Sequence, residues 1–310
     1  MKIAVIIPNY NSAELLRKAV TAMLRQSLFS SHTMDVVVVD DGSTDGSADI
    51  LERDFGELIT LIRLPENRGR SSARNAGAAA TGADILVFVD SDCIPADETF
   101  VAAHVETLEI GSDVSFGQVC TPGDGFWDQL QEDAAAWRLR RFNSGDTWTF
   151  TTQNVAVRRR CFDRAGGFDP TFNRHGFEDR DLFVRLANAG ALVRYTPTAQ
   201  VIHEDQVNLA SVARKLGEAG YHAAHLFRAK HPAIYREMTF SRLDSQINPW
   251  LVVADAILWP FAKPLARGPA GWLEWRVLPF RLRAFLARAL YGLSFLHGTV
   301  LRRAERKASS

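Results

Sequence analysis

The chain has 310 residues, with 36 Lys and Arg against 36 Asp and Glu, and is 46% hydrophobic and 23% charged. This profile excludes disordered, collagenous and low-complexity chains and leaves room for one large domain or two smaller ones, each with a core. The balance excludes a uniformly basic nucleic-acid binder, but residues 231–310 hold twelve basic and five acidic residues against 24 and 31 before them, so a net of +7 follows a net of −7.

Lys2–Ile7 is a continuous β-branched run stopped by Pro8, as expected of a strand buried on both faces of a parallel sheet. It is too short an apolar run for a signal peptide. Asn11 and Ser12 are placed to cap a helix whose apolar residues Leu15, Leu16, Ala19, Val20, Met23 and Leu24 recur at helical spacing. Strands are predicted at Asp35–Val39, Leu58–Ile62 and Ile85–Val89, alternating with helices that start near Thr44 or Ser47 and span Ser71–Ala80. That rhythm implies an α/β fold with a mainly parallel sheet. Further on, Val114–Cys120 and Thr149–Val157 read as strands, Phe126–Phe142 and Phe177–Leu186 as helices, and Leu192–Tyr195 and Gln200–His203 as short extended pieces. Beyond residue 206 the pattern is mostly helical, with breaks expected at Pro249, Pro260, Pro264, Pro269 and Pro279.

Polar clusters follow the strand ends: Pro8-Asn9-Tyr10-Asn11, Asp40-Asp41-Gly42-Ser43, and Asp90-Ser91-Asp92. In open α/β sheets ligands bind at that edge. Alternation points Asp90 and Asp92 the same way, and paired carboxylates suit a hard divalent cation, although a plain turn would use the same string. Asp41 can accept hydrogen bonds from a nucleobase or ribose. Arg68, Arg70 and Arg74 lie before and within a helix start that suits a diphosphate. Glu178-Asp179 either complements a helix dipole or supplies a general base, and His203 is either structural or a third metal ligand. The GxGxxG and GxxxxGK loops of dinucleotide and P-loop sites are absent after the first strand.

These strings, together with Asn67-Arg68-Gly69, Ala73-Arg74-Asn75, Gly166-Gly167-Phe168-Asp169 and Glu178-Asp179-Arg180-Asp181-Leu182, resemble the family 2 glycosyltransferases over roughly residues 3–205. The resemblance implies a GT-A fold, a nucleotide-sugar donor (UDP by default), and an inverting transfer assisted by Mg²⁺ or Mn²⁺. It implies that Pro8, Tyr10, Asn11 and Asp41 serve the nucleotide with Arg68, Arg70 and Arg74, that Asp90 lies near ribose or sugar, and that Asn154 lies near the sugar. Asp92 and His203 would ligate the metal, and Asp179 would be the catalytic base with Glu178 as the alternative. No QxxRW string of processive synthases occurs, so one sugar per encounter is expected. A binding protein without catalysis and a nucleotidyltransferase are the competing readings.

The chain thus divides into a catalytic domain, 1–230, and a C-terminal helical extension, 231–310. The extension interleaves Trp250, Trp259, Trp272, Trp275 and Phe261, Phe280, Phe285, Phe295 with Arg276, Arg281, Arg283 and Arg288. This composition suits either an interfacial helix on an anionic membrane, with a glycan or lipid-linked acceptor, or packing on the body or on a second copy. Three cysteines without metal spacing fit a reducing, cytoplasmic setting, peripheral on the membrane.

Overall fold

The computed structural model describes residues 1–205, 207–267, 271–274 and 278–308; Pro269, Trp275 and Arg276 lie outside the described residues. The chain forms two compact units. One comprises Met1–Gly123, Gln131–Asn173 and Asp179–Asp205; the other comprises Asp124–Leu130, Arg174–Glu178 and Gln206–Ser310. The boundary expected at residue 230 therefore lies inside the second unit.

The first unit is built on an eight-stranded sheet: β1 Lys2–Asn9, β2 Thr33–Asp40, β3 Thr60–Arg63, β4 Ile85–Val89, β5 Cys93–Pro95, β6 Val114–Cys120, β7 Asn154–Arg158 and β8 Val193–His203. Their spatial order is β3-β2-β1-β4-β7-β6-β8-β5. The β3, β2, β1 and β4 strands run parallel; β7 is antiparallel to both β4 and β6, β8 is parallel to β6, and β5 is antiparallel to β8. The sheet is mixed but mainly parallel, as expected: six of its eight strands run one way, and β7 and β5 run against them. Helices α1 Ala13–Leu24, α2 Ser47–Phe55, α3 Arg70–Ala79, α4 Phe100–Glu109, α5 Phe126–Asn143, α6 Arg159–Ala165 and α7 Glu178–Asn188 follow the strands. Two apolar clusters cover the sheet, one centred on Ile3, Val5, Ile7, Val87 and Phe100, the other on Ile6, Val39, Phe88, Phe162 and Phe168. Alternate residues of β1 thus serve opposite layers, which is why its middle, Ile3–Ile7, has no polar position.

Helix α1 is not capped as expected. Ser12 makes no side-chain cap bond; Asp45 of the neighbouring loop accepts the Ala13 N–H at 3.2 Å, and Asn11, at φ 52°, accepts the Thr44 N–H at 2.8 Å. The two loops at the strand ends are therefore laced together.

The second unit continues with α8 Leu209–Glu218, a π-helical turn at Ala219–Ala223, α9 Ala224–Lys230, α10 Pro232–Glu237, α11 Thr239–Arg242, α12 Leu251–Arg267, α13 Gly271–Glu274 and α14 Phe280–Ala308. Helix α12 runs through Pro260 and Pro264, where breaks were expected. Both prolines and Ala256 are exposed residues, so the carbonyls of Ala256 and Pro260, which lose an amide partner, belong to residues on the solvent side of the helix. Helix α14 is long and apolar enough to cross a membrane by length and composition alone, and 44% of its most apolar window is buried. Phe227, Tyr235 and Phe295 form part of this unit's aromatic interior around Phe177, itself at φ 67°.

Candidate active site

Parallel pairing of β1 with β2 and β4 sets their carboxyl ends on one edge, with Asn9 opposite Asp40. Asn9 donates to Asp40 Oδ1 at 2.9 Å and to Ser43 Oγ at 3.1 Å. Asp41 accepts the backbone N–H groups of Arg68 and Gly69, each at 2.8 Å. Burial raises its pKa against the pull of those bonds. Gly69 is required there: its φ is 86°, and a Cβ would stand 2.4 Å from the Asn173 carbonyl. Pro8 is buried in β1, Tyr10 is 50% exposed beside it, and Arg68 and Arg70 are exposed.

Arg74 is placed differently from the other two arginines. It is 1% exposed, lies 5.2 Å from the Phe168 ring centroid, and bridges two carboxylates. Its Nη2 lies 2.6 Å from Asp90 Oδ1 and its Nη1 3.5 Å from Asp179 Oδ1. Burial alone would raise the Asp90 carboxyl, but Arg74 and Arg70 together bring it below its usual value. Asp179 also accepts a short hydrogen bond from the Thr152 hydroxyl. Arg74 is thus the tie between the two acids rather than a phosphate contact on the surface. Glu178, the alternative base, is buried and accepts the Gly176 N–H at 2.9 Å.

The short strand β5, which the sequence reading missed, assembles the third element. Cys93 pairs with His203, and the Glu204 N–H bonds to the Asp92 carbonyl at 2.9 Å. This brings ligand atoms of Asp92, His203 and Asp205 within 4.8 Å of one another. His203 Nε2 lies 3.4 Å from Asp92 Oδ2, and its Nδ1 lies 3.0 Å from Gln131 Oε1. An Nδ1–H donated to Gln131 turns the Nε2 lone pair toward the carboxylates, the arrangement that orients a metal-ligating imidazole. Two carboxylates and one imidazole suit a divalent cation. Asp205 was not singled out from the sequence, yet it stands two residues beyond His203 and so on the same side of an extended chain.

Asn154 has another occupation than the sugar contact expected of it. Its amide donates to the carbonyls of Gln118 and Ala199, both at 2.9 Å, and its oxygen lies 2.8 Å from His104 Nε2. It knots β6, β7, β8 and α4 together. The Gly-Gly-Phe-Asp string is likewise structural: Asn75 exchanges hydrogen bonds with Phe168, and Arg185 joins buried Asp181 to the Gly167 carbonyl. A cavity of about 140 Å³ lined by Gln131, Arg138, Gln153 and His203 adjoins the metal-type cluster. Burial brings the half-buried Arg138 guanidinium down to about 10, with Arg180 acting the same way and Asp179 opposing.

The family model for glycosyl transferase family 2 matches residues 4–165, and one for glycosyltransferase-like family 2 matches residues 124–237. The chain belongs to glycosyl transferase family 2. An uncharacterized glycosyltransferase of Nostoc sp. is 31% identical over 187 residues, 55% of this chain and 55% of the relative. Pre-mycofactocin glycosyltransferase of Mycobacterium tuberculosis is 29% identical over 248 residues, 74% of this chain and 48% of the relative. The family 2 chain described here spans about half the length of such curated relatives. Among solved structures, the mannosyltransferase PcManGT from Pyrobaculum calidifontis, in complex with GDP-Man and Mn²⁺, has a TM-score of 0.63 at 22% identity, covering 95% of this chain and 86% of that one. That likeness shows the GT-A fold.

Proposed function

We propose that the chain is an inverting, non-processive glycosyltransferase that moves one sugar from a nucleoside-diphosphate sugar to a hydroxyl acceptor. The observation that carries this reading is the convergence of the Asp92, His203 and Asp205 cluster and the Asp90–Arg74–Asp179 bridge in one unit of a family 2 fold. Asp92, His203 and Asp205 are the residues that would hold Mg²⁺ or Mn²⁺, which when bound offsets charge on a departing diphosphate. Pro8, Tyr10 and Asp41 line the nucleotide side, and exposed Arg68 and Arg70 supply cations for phosphate. Asp179, held by Thr152 and Arg74, takes the proton of the acceptor hydroxyl. That oxygen then bonds to the anomeric carbon as the bond to the diphosphate oxygen breaks on the opposite face, so configuration inverts.

The relatives' printed names support sugar transfer, and the complex of PcManGT with GDP-Man and Mn²⁺ supports a nucleotide-sugar donor and a divalent metal. The basic, aromatic C-terminal part supports a peripheral membrane setting and an acceptor that is lipid-linked or belongs to a surface glycan. Donor hydrolysis or transfer measured for Asp92→Ala and Asp179→Asn tests the mechanism. Each should lose about 10²- to 10⁴-fold in kcat; activity unchanged in both variants discards the assignment.

A further inference from the structure

One face of α12 is apolar and uncovered within its own unit. Trp250, Val253, Ile257, Phe261 and Leu265 follow one another three, four, four and four residues apart, which places them along one ridge. They are 67%, 63%, 60%, 74% and 48% exposed. A soluble surface rarely sets five large apolar side chains in a row, and such a row marks an interaction site. The helix itself is anchored: Leu251, Asp255, Ala262 and Ala266 on its other side are buried, and Asp255 lies 3.0 Å from His297 Nδ1.

The charges around the ridge select the partner. The only acidic residue in α12 is the buried Asp255, whereas Lys263 and Arg267 are exposed. The surrounding residues 231–310 carry the net of +7. A two-fold contact between copies would bring the cations of both ridges together without an acid from either helix. An anionic bilayer meets both features at once, accepting apolar side chains at the acyl boundary and cations at the phosphates. The carbonyls freed by Pro260 and Pro264 need water or headgroups, which fits a helix lying in the interface plane and not one crossing it.

We propose that the Trp250–Leu265 ridge of α12 is the membrane-docking surface of this chain and that its ligand is an anionic lipid bilayer. The proposal rests on the peripheral setting proposed above and names the residues that carry it. Full-length protein is sedimented with phosphatidylcholine vesicles with and without phosphatidylglycerol, at low and high salt. The expected result is binding to the anionic vesicles at low salt, reduced about tenfold or more in an Ile257→Ser/Phe261→Ser double variant and retained in Phe261→Leu. Lys263→Gln/Arg267→Gln should bind more weakly and with less salt dependence. The melting curve and donor hydrolysis in solution, measured on the same samples, should be unchanged by these variants, which separates loss of docking from loss of fold or of transfer activity. Three results overturn the proposal: no vesicle binding by the parent chain, equal binding by the serine double variant, or a parent dimer that the serine variant dissociates.

Discussion

Arg74 concentrates several roles in one side chain. A guanidinium 1% exposed is held here by the two carboxylates on either side of it, and their proximity is tolerated because it stands between them. Arg74→Leu should cost about 3–5 kcal/mol in denaturant unfolding, since it strips buried Asp90 of the cation that hydrogen-bonds to it. Arg74→Lys keeps the charge but loses the fork that reaches two partners, so it should retain most of the stability and lose kcat. Asp205→Ala should weaken Mn²⁺ affinity by about 10- to 100-fold if Asp205 completes the set with Asp92 and His203; titration of the paramagnetic ion against water relaxation reads this directly. His104 gives a pH signature. Burial pushes its pKa down to about 4, while the Asn154 bond acts in the opposite direction. The imidazole is therefore neutral in the native state, and below the ordinary value near 6.5 the unfolded chain takes up a proton that the folded chain refuses. Stability contributed above that value is lost as pH falls toward about 4, by about 3 kcal/mol in total. His104→Gln should flatten that acid limb, measured as the urea midpoint between about pH 7 and about pH 4.5.

At the scale of elements, close backbone contact decides which substitutions are tolerated. A Cβ on Gly298 of α14 would stand 2.1 Å from the Gly217 carbonyl of α8, and one on Gly220 would stand 2.3 Å from the Phe295 carbonyl. Helix propensity favours Ala over Gly by about 1 kcal/mol, but the obstacle here is backbone and cannot rotate away. Gly298→Ala should therefore lower the melting temperature, whereas Gly82→Ala, with no atom within 4 Å of its Cβ, should leave it unchanged or raise it. The same scale shows what sequence pattern conveys. The β1, β2 and β4 strands were legible because continuous β-branched runs admit few other readings. Helix α4 was not: eight of its ten residues are buried, so no polar face marks a period. Strand β8 was read as two pieces, Leu192–Tyr195 and Gln200–His203, but it is continuous; consecutive Gly117 and Gln118 of β6 face Thr196 and Gln200, so β8 carries three extra residues, 197–199, at this point. The start of the expected strand at Thr149 forms instead a turn, from which Thr152 reaches Asp179.

At the scale of the molecule, the neutral sum of charges conceals a division of labour between an acidic region that gathers carboxylates at strand ends and a basic region with an apolar ridge. Asp92 and His203 were legible as ligand types, and their meeting was legible only through resemblance, since they stand 111 positions apart. Arg74 was read as a nucleotide contact like Arg68 and Arg70, because helical position alone does not show which face of α3 the fold buries. A ligand that binds only the native state raises stability by mass action, so Mn²⁺ at about a hundred times its dissociation constant should add about 2.7 kcal/mol to the parent chain and nothing to Asp92→Ala, read by thermal denaturation. The pairing of Cys93 with His203 carries one further consequence, for the order of folding. Slippage of β5 against β8 by a single residue would turn the imidazole to the other face of the sheet. The contact also closes one of the long loops of the chain, and long loops close slowly. Capture of Mn²⁺ during refolding should accordingly lag behind the recovery of helical signal, making the ion a reporter of correct strand register as well as a partner in chemistry.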